Sequence, residues 1–260
     1  MGMLFAVIGF LIIDSFFHLI PKLFSLDIVS WLAYACILFI LVHHVAKLTG
    51  LGGMGDLGVK AHFGWKRNLR IGFLISSGIW IAMYVLLWGF ADFQVVGVKK
   101  APEAILLFIE ILGVMLLSSL MNNLIVTGYV FAHLKGKIRN GSLLLISAII
   151  FAMDDVWLVG FSLSNALFSL VLGLSLGYVL LKTGSIWMGT GIHMGLGVMY
   201  SLVNGVPGSE AAKGLLITAA GENALFAYEH VYTFAATAML LVILIIYPRL
   251  KLNSAHTYKY

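Results

Sequence analysis

The sequence predicts an all-α protein, a polytopic bundle of about eight transmembrane helices with both termini in the cytoplasm. Three observations carry that reading. The 260 residues are 61% hydrophobic and only 10% charged, with a mean hydropathy of +1.03, whereas a soluble domain carries roughly 25% charged residues. Apolar runs of about 20 residues recur from end to end, each long enough to cross a ~30 Å hydrocarbon layer as a helix. The basic residues fall on alternate connections.

In order, the spans lie at roughly 3–20, 28–48, 71–93, 104–134, 142–158, 161–182, 185–204 and 226–247. The first, MGMLFAVIGFLII, lacks the basic start of a secretory signal and runs into Asp14 and His18, so it reads as a retained helix. The fourth is longer than a bilayer requires, since about 31 residues at 1.5 Å each give roughly 46 Å. It must tilt, break near Gly128, or protrude with Lys135. With eight spans, the termini and every second connection share one side. That side holds 12 of the 16 Lys and Arg residues, and the other holds 4. The positive-inside rule makes the first side cytoplasmic, and an odd count would mix the two groups.

Residues 1–260 therefore form one transmembrane domain ending in a short basic cytoplasmic tail at 248–260. The expected location is the plasma membrane of a prokaryote. The net charge of +5 is explained by membrane orientation, and no nucleic-acid signature is present. Cys36 is the single cysteine, which excludes an intramolecular disulfide and a cysteine-based metal site. The basic segment from Lys60 to Arg70 is expected to touch anionic lipid. The loop 205–225, with Gly205, Pro207, Gly208 and Glu210, is the largest outer feature.

A charged side chain at mid-membrane costs about 2.5–3.5 kcal/mol, so such residues face a bundle interior or a cavity. The candidates are Asp14 and His18 in the first span, Asn122 and Asn123 in the fourth, Asp154 and Asp155 in the fifth, and His193 in the seventh. Counted from the basic ends at 1.5 Å per residue, they lie at similar depths of roughly 16–23 Å. Four helices thus bring polar groups to one level, which indicates a buried polar site. Asn residues in bundles commonly make interhelical hydrogen bonds, and Asp14 and His18, at i and i+4, can satisfy each other. Adjacent carboxylates at 154–155 need partners. His43 and His44 read as interfacial, and Glu110, Glu229 and His230 as solvated.

Periodicity places Ser119, Asn123 and Thr127 on one helix face, with Asn122 about 100° away. Phe151 and Asp155 share a face. Gly189, His193 and Gly197 form a small-residue stripe that lets another helix approach, and Gly173 and Gly177 form a GxxxG pair with the same implication.

The order of these motifs from about 104 to 204 resembles the CPBP family of intramembrane proteases (CAAX-protease and bacteriocin-processing, also called Abi). That family has a paired glutamate, three residues, an arginine and usually a glycine. NNLIVTG here has Asn122 and Asn123 at the glutamates, Thr127 at the arginine and retains Gly128. The second family motif, Phe, three residues, His, is met by Phe151 but carries Asp155 for His. The third, His, three residues, Asn after a Gly-Ser-hydrophobic-Trp start, keeps Gly184, Ser185, Trp187 and His193 but has Gly197 for Asn. The resemblance implies a family framework around a site that has lost its paired carboxylate, one histidine and its oxyanion-stabilising asparagine. A neutral Asn cannot take the proton that the family's glutamate takes.

The expectation is therefore a pseudoenzyme that binds, scaffolds or stabilises a membrane protein or membrane-bound peptide within the lipid bilayer. It would use no metal or cofactor. Two alternatives use the same residues. One is an active intramembrane endopeptidase or metalloprotease on a rearranged Asp155/His193 site, with zinc as its possible metal. The other is a transporter or ion pathway.

Overall fold

The computed structural model describes residues 2–24, 27–90, 93–206, 214–220 and 224–249. Helices α1 (Met3–Leu23), α2 (Ile28–Leu48) and α3 (Trp65–Phe90) are followed by strand β1 (Phe93–Val98) and helix α4 (Ala101–Asn122). A π-helical turn over Asn123–Tyr129 continues α4 into α5 (Val130–Leu134). Helices α6 (Asn140–Val159), α7 (Leu163–Thr183) and α8 (Trp187–Asn204) come next, then strand β2 (Leu216–Ala220) and helix α9 (Ala224–Ile246).

The protein is a helical membrane bundle. Its lipid-facing surface is apolar: Leu11, Ile40, Val85, Ile105, Leu106 and Phe234 are all exposed. Among the described residues, six helical segments are long and apolar enough to cross a membrane, namely α1, α2, α3, the continuous Ala101–Leu134 stretch, α6 and α7. α8 is not among them. It carries His193, Thr190, Ser201 and four glycines, and it lies among α3, α4 and α7, so it has little need of an apolar face. α9 contributes a shorter apolar stretch at His230–Ile246.

Helix ends follow local chemistry. Asp27 caps α2 by accepting the Ser30 N–H at 2.8 Å, which holds its carboxyl below the usual carboxylate range. Ser162 accepts the Asn165 N–H at 3.1 Å at the start of α7, and Gly184 ends that helix in the left-handed conformation.

Three expectations need correction. α3 begins at Trp65 rather than near 71, so Lys66, Arg67 and Arg70 ride on its first turns instead of in a loop. Their long stems reach past the apolar surface while the charges stay outside. Two connections read as loops instead carry β1 and β2, which form an antiparallel ribbon beside the expected helical bundle, pairing Phe93 with Ala220 and Val98 with Leu216. The alternating FQVVGV and LITAA stretches are too short to span as helices and suit a ribbon. The fourth span does not break near Gly128. It widens into the π turn, which adds residues without interrupting the helix. In the 205–225 loop, Gly205 closes α8 and β2 folds back on β1, whereas Pro207, Gly208 and Glu210 lie outside the described residues, as does the tail beyond Arg249.

The pairing of α3 with α8 is the most extensive in the bundle. It depends on glycines. A Cβ on Gly191 would run into the Leu69 carbonyl, one on Gly72 into the Met188 carbonyl, and one on Gly195 would stand 2.7 Å from the Phe73 carbonyl oxygen. The GxxxG pair on α7 does the same against α6, where a Cβ on Gly173 would stand 2.9 Å from the Ala148 Cα. Gly191→Ala is expected to cost about 1–3 kcal/mol of stability through overpacking, while Gly113→Ala, with nothing within 4 Å of the added Cβ, should be neutral. Thermal unfolding in nanodiscs measures both, and a neutral Gly191→Ala would show that these backbones are not in contact.

Candidate functional site

Helix α1 buries one stripe, Ala6, Gly9, Ile13, Asp14 and His18, and that stripe docks on the π turn and α6. Tyr129 of the π turn donates its hydroxyl to the Ala6 carbonyl at 3.1 Å, over a spot where Gly9 leaves room for the phenol. At the far end of α1, Lys22 donates to the Trp157 carbonyl on α6, with its Nζ 5.5 Å from the Trp157 ring centroid. The helix is thus pinned at both ends, with Asp14 and His18 between.

His18 stacks on Trp157 with centroids 5.9 Å apart and meets Phe17 edge-on at 4.9 Å. This aromatic sleeve aims its Nε2 at Asp154, which it reaches at 2.7 Å. Asn122 donates its amide to the other Asp154 oxygen at 3.1 Å. Asp14 completes the group, its Oδ1 3.8 Å from His18 Nε2. Asp14, His18, Asn122 and Asp154 are each at most 6% exposed. One potential ligand atom from each of Asp14, His18 and Asp154 lies within 4.8 Å of the others.

The remaining polar residues part company here. Asp155 turns to α7, where it accepts from Asn165 Nδ2 at 3.2 Å and from the Ser169 hydroxyl. His193 packs edge-on against Phe151 at 5.8 Å, within electrostatic range of Asp154, and its buried Nδ1 has no protein partner among the described residues. Asp155 and His193 therefore form no hydrogen bond or ion pair with each other. The Asp155 carboxylate is held by α7 instead. Asn123 donates back to the Ser119 carbonyl at 2.8 Å and turns its Oδ1 toward Gly189 of α8. The two asparagines thus diverge, Asn122 toward α6 and Asn123 toward α8, as their 100° separation requires. Thr127 is buried in the π turn, and Gly197 faces Met115.

Residues 104–199 match the family model described as type II CAAX prenyl endopeptidase Rce1-like. The match covers 96 of the 260 residues and marks this segment as similar to that family. No curated protein and no solved structure matches the chain. The Rce1-like segment begins in α4 and ends in α8, so it contains Asn122, Asp154, Asp155 and His193 but excludes α1. Half of the buried cluster, Asp14 and His18, is therefore supplied from outside the Rce1-like segment. Sequence reading missed Asn165 and Ser169, which stand four residues apart at the level of Asp155. That i, i+4 polar pair on an apolar span was the available signal.

Of the two cavities described, one of about 120 Å³ lies beside Gly58, Gly128 and Lys135. The other, about 390 Å³ and apolar, lies beneath β1 among Tyr84, Trp88, Met199 and Leu216. Neither is lined by Asp14, His18, Asp154 or His193. Removing one partner of a buried ion pair costs about 3–5 kcal/mol, so His18→Ala should lower stability by that amount. Asn122→Ala should cost about 0.6–1.7 kcal/mol, the range for interhelical hydrogen bonds in bilayers. Unfolding measurements in nanodiscs read both, and a neutral His18→Ala would mean that the α1–α6 pair does not form.

Proposed function

We propose that this CAAX-protease-type membrane protein does not cleave peptides and acts by binding a membrane protein or a membrane-bound peptide. The observation that carries the reading is the use made of Asp154. Asp154, the carboxylate hydrogen-bonded to an imidazole among the described residues, has one oxygen taken by His18 and the other by Asn122, deep in the helix packing. A general base must reach a water or substrate proton within about 2.6–3.2 Å, and this carboxylate spends its contacts on α1 and α4.

The positions of the family motifs support the same reading. Asn122 stands at a family glutamate and serves as a hydrogen-bond donor. His193 is retained, but it is not oriented by any carboxylate, and a histidine base needs such a partner to hold its tautomer. Gly197, at the family asparagine, offers no side chain to an oxyanion. What persists is the framework of α4 to α8. A protein of this kind, with both termini on the cytoplasmic side, would hold its partner along its apolar helix faces. The buried polar groups also gather at one level, whereas an ion pathway requires polar groups along an open route.

In proteoliposomes, the purified wild-type chain should release no product from a prenylated CAAX peptide above the level of His193→Ala, and gentle affinity purification should recover a stoichiometric membrane partner with both proteins. Cleavage by the wild type that disappears in His193→Ala would overturn the proposal.

A further inference from the structure

The Asp14–His18–Asp154 cluster contains more negative charge than its hydrogen bonds account for. One carboxylate oxygen of Asp14 lies within 4.8 Å of one of Asp154, and two carboxylates this close in a dry interior require a proton or a cation between them. His18 Nε2 serves Asp154 Oδ1 at 2.7 Å but stands 3.8 Å from Asp14 Oδ1, beyond hydrogen-bond range. An imidazolium here would cancel one carboxylate charge and leave the other.

Two buried side-chain oxygens have no partner: Asp14 Oδ1 and Oδ1 of Asn122, whose amide nitrogen is the atom that faces Asp154. Asn122 is 6% exposed, and its amide already touches Asp154. A half-turn of that amide exchanges its nitrogen and oxygen, the two being assigned by hydrogen bonding. Its oxygen then stands 3.1 Å from Asp154 Oδ2, where the nitrogen is now.

We propose that Asp14, His18, Asp154 and the Asn122 side-chain oxygen bind one divalent first-row transition cation that fastens α1 to α4 and α6. Two ligands each about 2.1 Å from an ion stand at most ~4.2 Å apart. The 3.8 Å Asp14–His18 gap already fits, and the widest spacing in the trio, within 4.8 Å, needs a shift of about half an ångström. A divalent ion cancels both carboxylates, gives each orphan oxygen a bond, and leaves the cluster neutral inside the membrane. One imidazole with carboxylate and amide oxygens suits zinc or manganese, whereas calcium takes 6–8 oxygen ligands. Four protein ligands close the coordination shell, as in structural rather than catalytic sites. The site goes beyond the binding role proposed above and does not depend on it.

The test uses the full chain, purified through a histidine-free tag, stripped with chelator, reloaded with zinc sulfate and desalted. Metal content by mass spectrometry should approach one zinc per chain. Asp14→Asn and His18→Gln, both near-isosteric, should weaken zinc binding at least about tenfold, since even outer-shell changes cost that much. Asp155→Asn, which alters the neighbouring carboxylate held by α7, should retain the metal. Chelator should lower the melting temperature of the wild type and leave that of Asp14→Asn unchanged. A monodisperse wild-type chain that retains no zinc, or equal retention by Asp14→Asn, would refute the site whatever the outcome of the peptidase assay.

Discussion

The contact between His18 and Asp154 joins a helix at the start of the chain to one 136 residues later, and much of the bundle's centre is arranged to make it possible. A carboxylate left unpaired at that depth would cost several kcal/mol. Every element around it therefore contributes either a partner or the geometry that delivers one. Trp157 and Phe17 hold the imidazole plane, Lys22 anchors the end of α1 on α6, and Asn122 takes the second carboxylate oxygen. The arrangement belongs to three separate helices, so α1 cannot leave without exposing a charge to hydrocarbon.

The π turn is the second constraint. A π-helical segment turns by a wider step than an α-helix, so residues 123–129 change the phase of the fourth span between Asn122 and Val130. The result is a fully buried stretch, Met121 to Phe131, with every side chain facing protein. Tyr129 meets α1, Asn123 meets α8 and Gly128 lies against the Leu57 carbonyl of the 49–64 loop. That loop in turn accepts the Ile186 N–H on Gly58 at 3.1 Å and the Trp187 indole N–H on Val59 at 3.1 Å, which fixes the start of α8. The glycines of α8 then allow α3 to close on its other side. His193 stands on this rigid helix, against Phe151.

The helices of the Rce1-like segment pack together, and several of the polar residues on them make contacts within the bundle. Asn122 donates to a neighbouring carboxylate, Asp155 is bound by Asn165 and Ser169, and Gly197 accommodates a methionine.

Much of the fold was legible in the amino-acid order, because crossing a bilayer imposes a length and an apolar composition that each segment must satisfy alone. The helix sequence, the approximate bounds of α2, α6 and α7, the divergence of Asn122 from Asn123 and the convergence of Asp14, His18 and Asp154 at one level all follow from counting. The pairing of that level did not. Asp154 and Asp155 are adjacent and identical in chemistry, and only the packing of α1 on one side of α6 and α7 on the other assigns His18 to the first and Asn165 and Ser169 to the second. The start of α3, the β1–β2 ribbon and the π turn were likewise decided by contacts far apart in the chain. Composition along one helix determines depth, whereas the azimuth of each side chain acquires meaning only from the neighbour it meets.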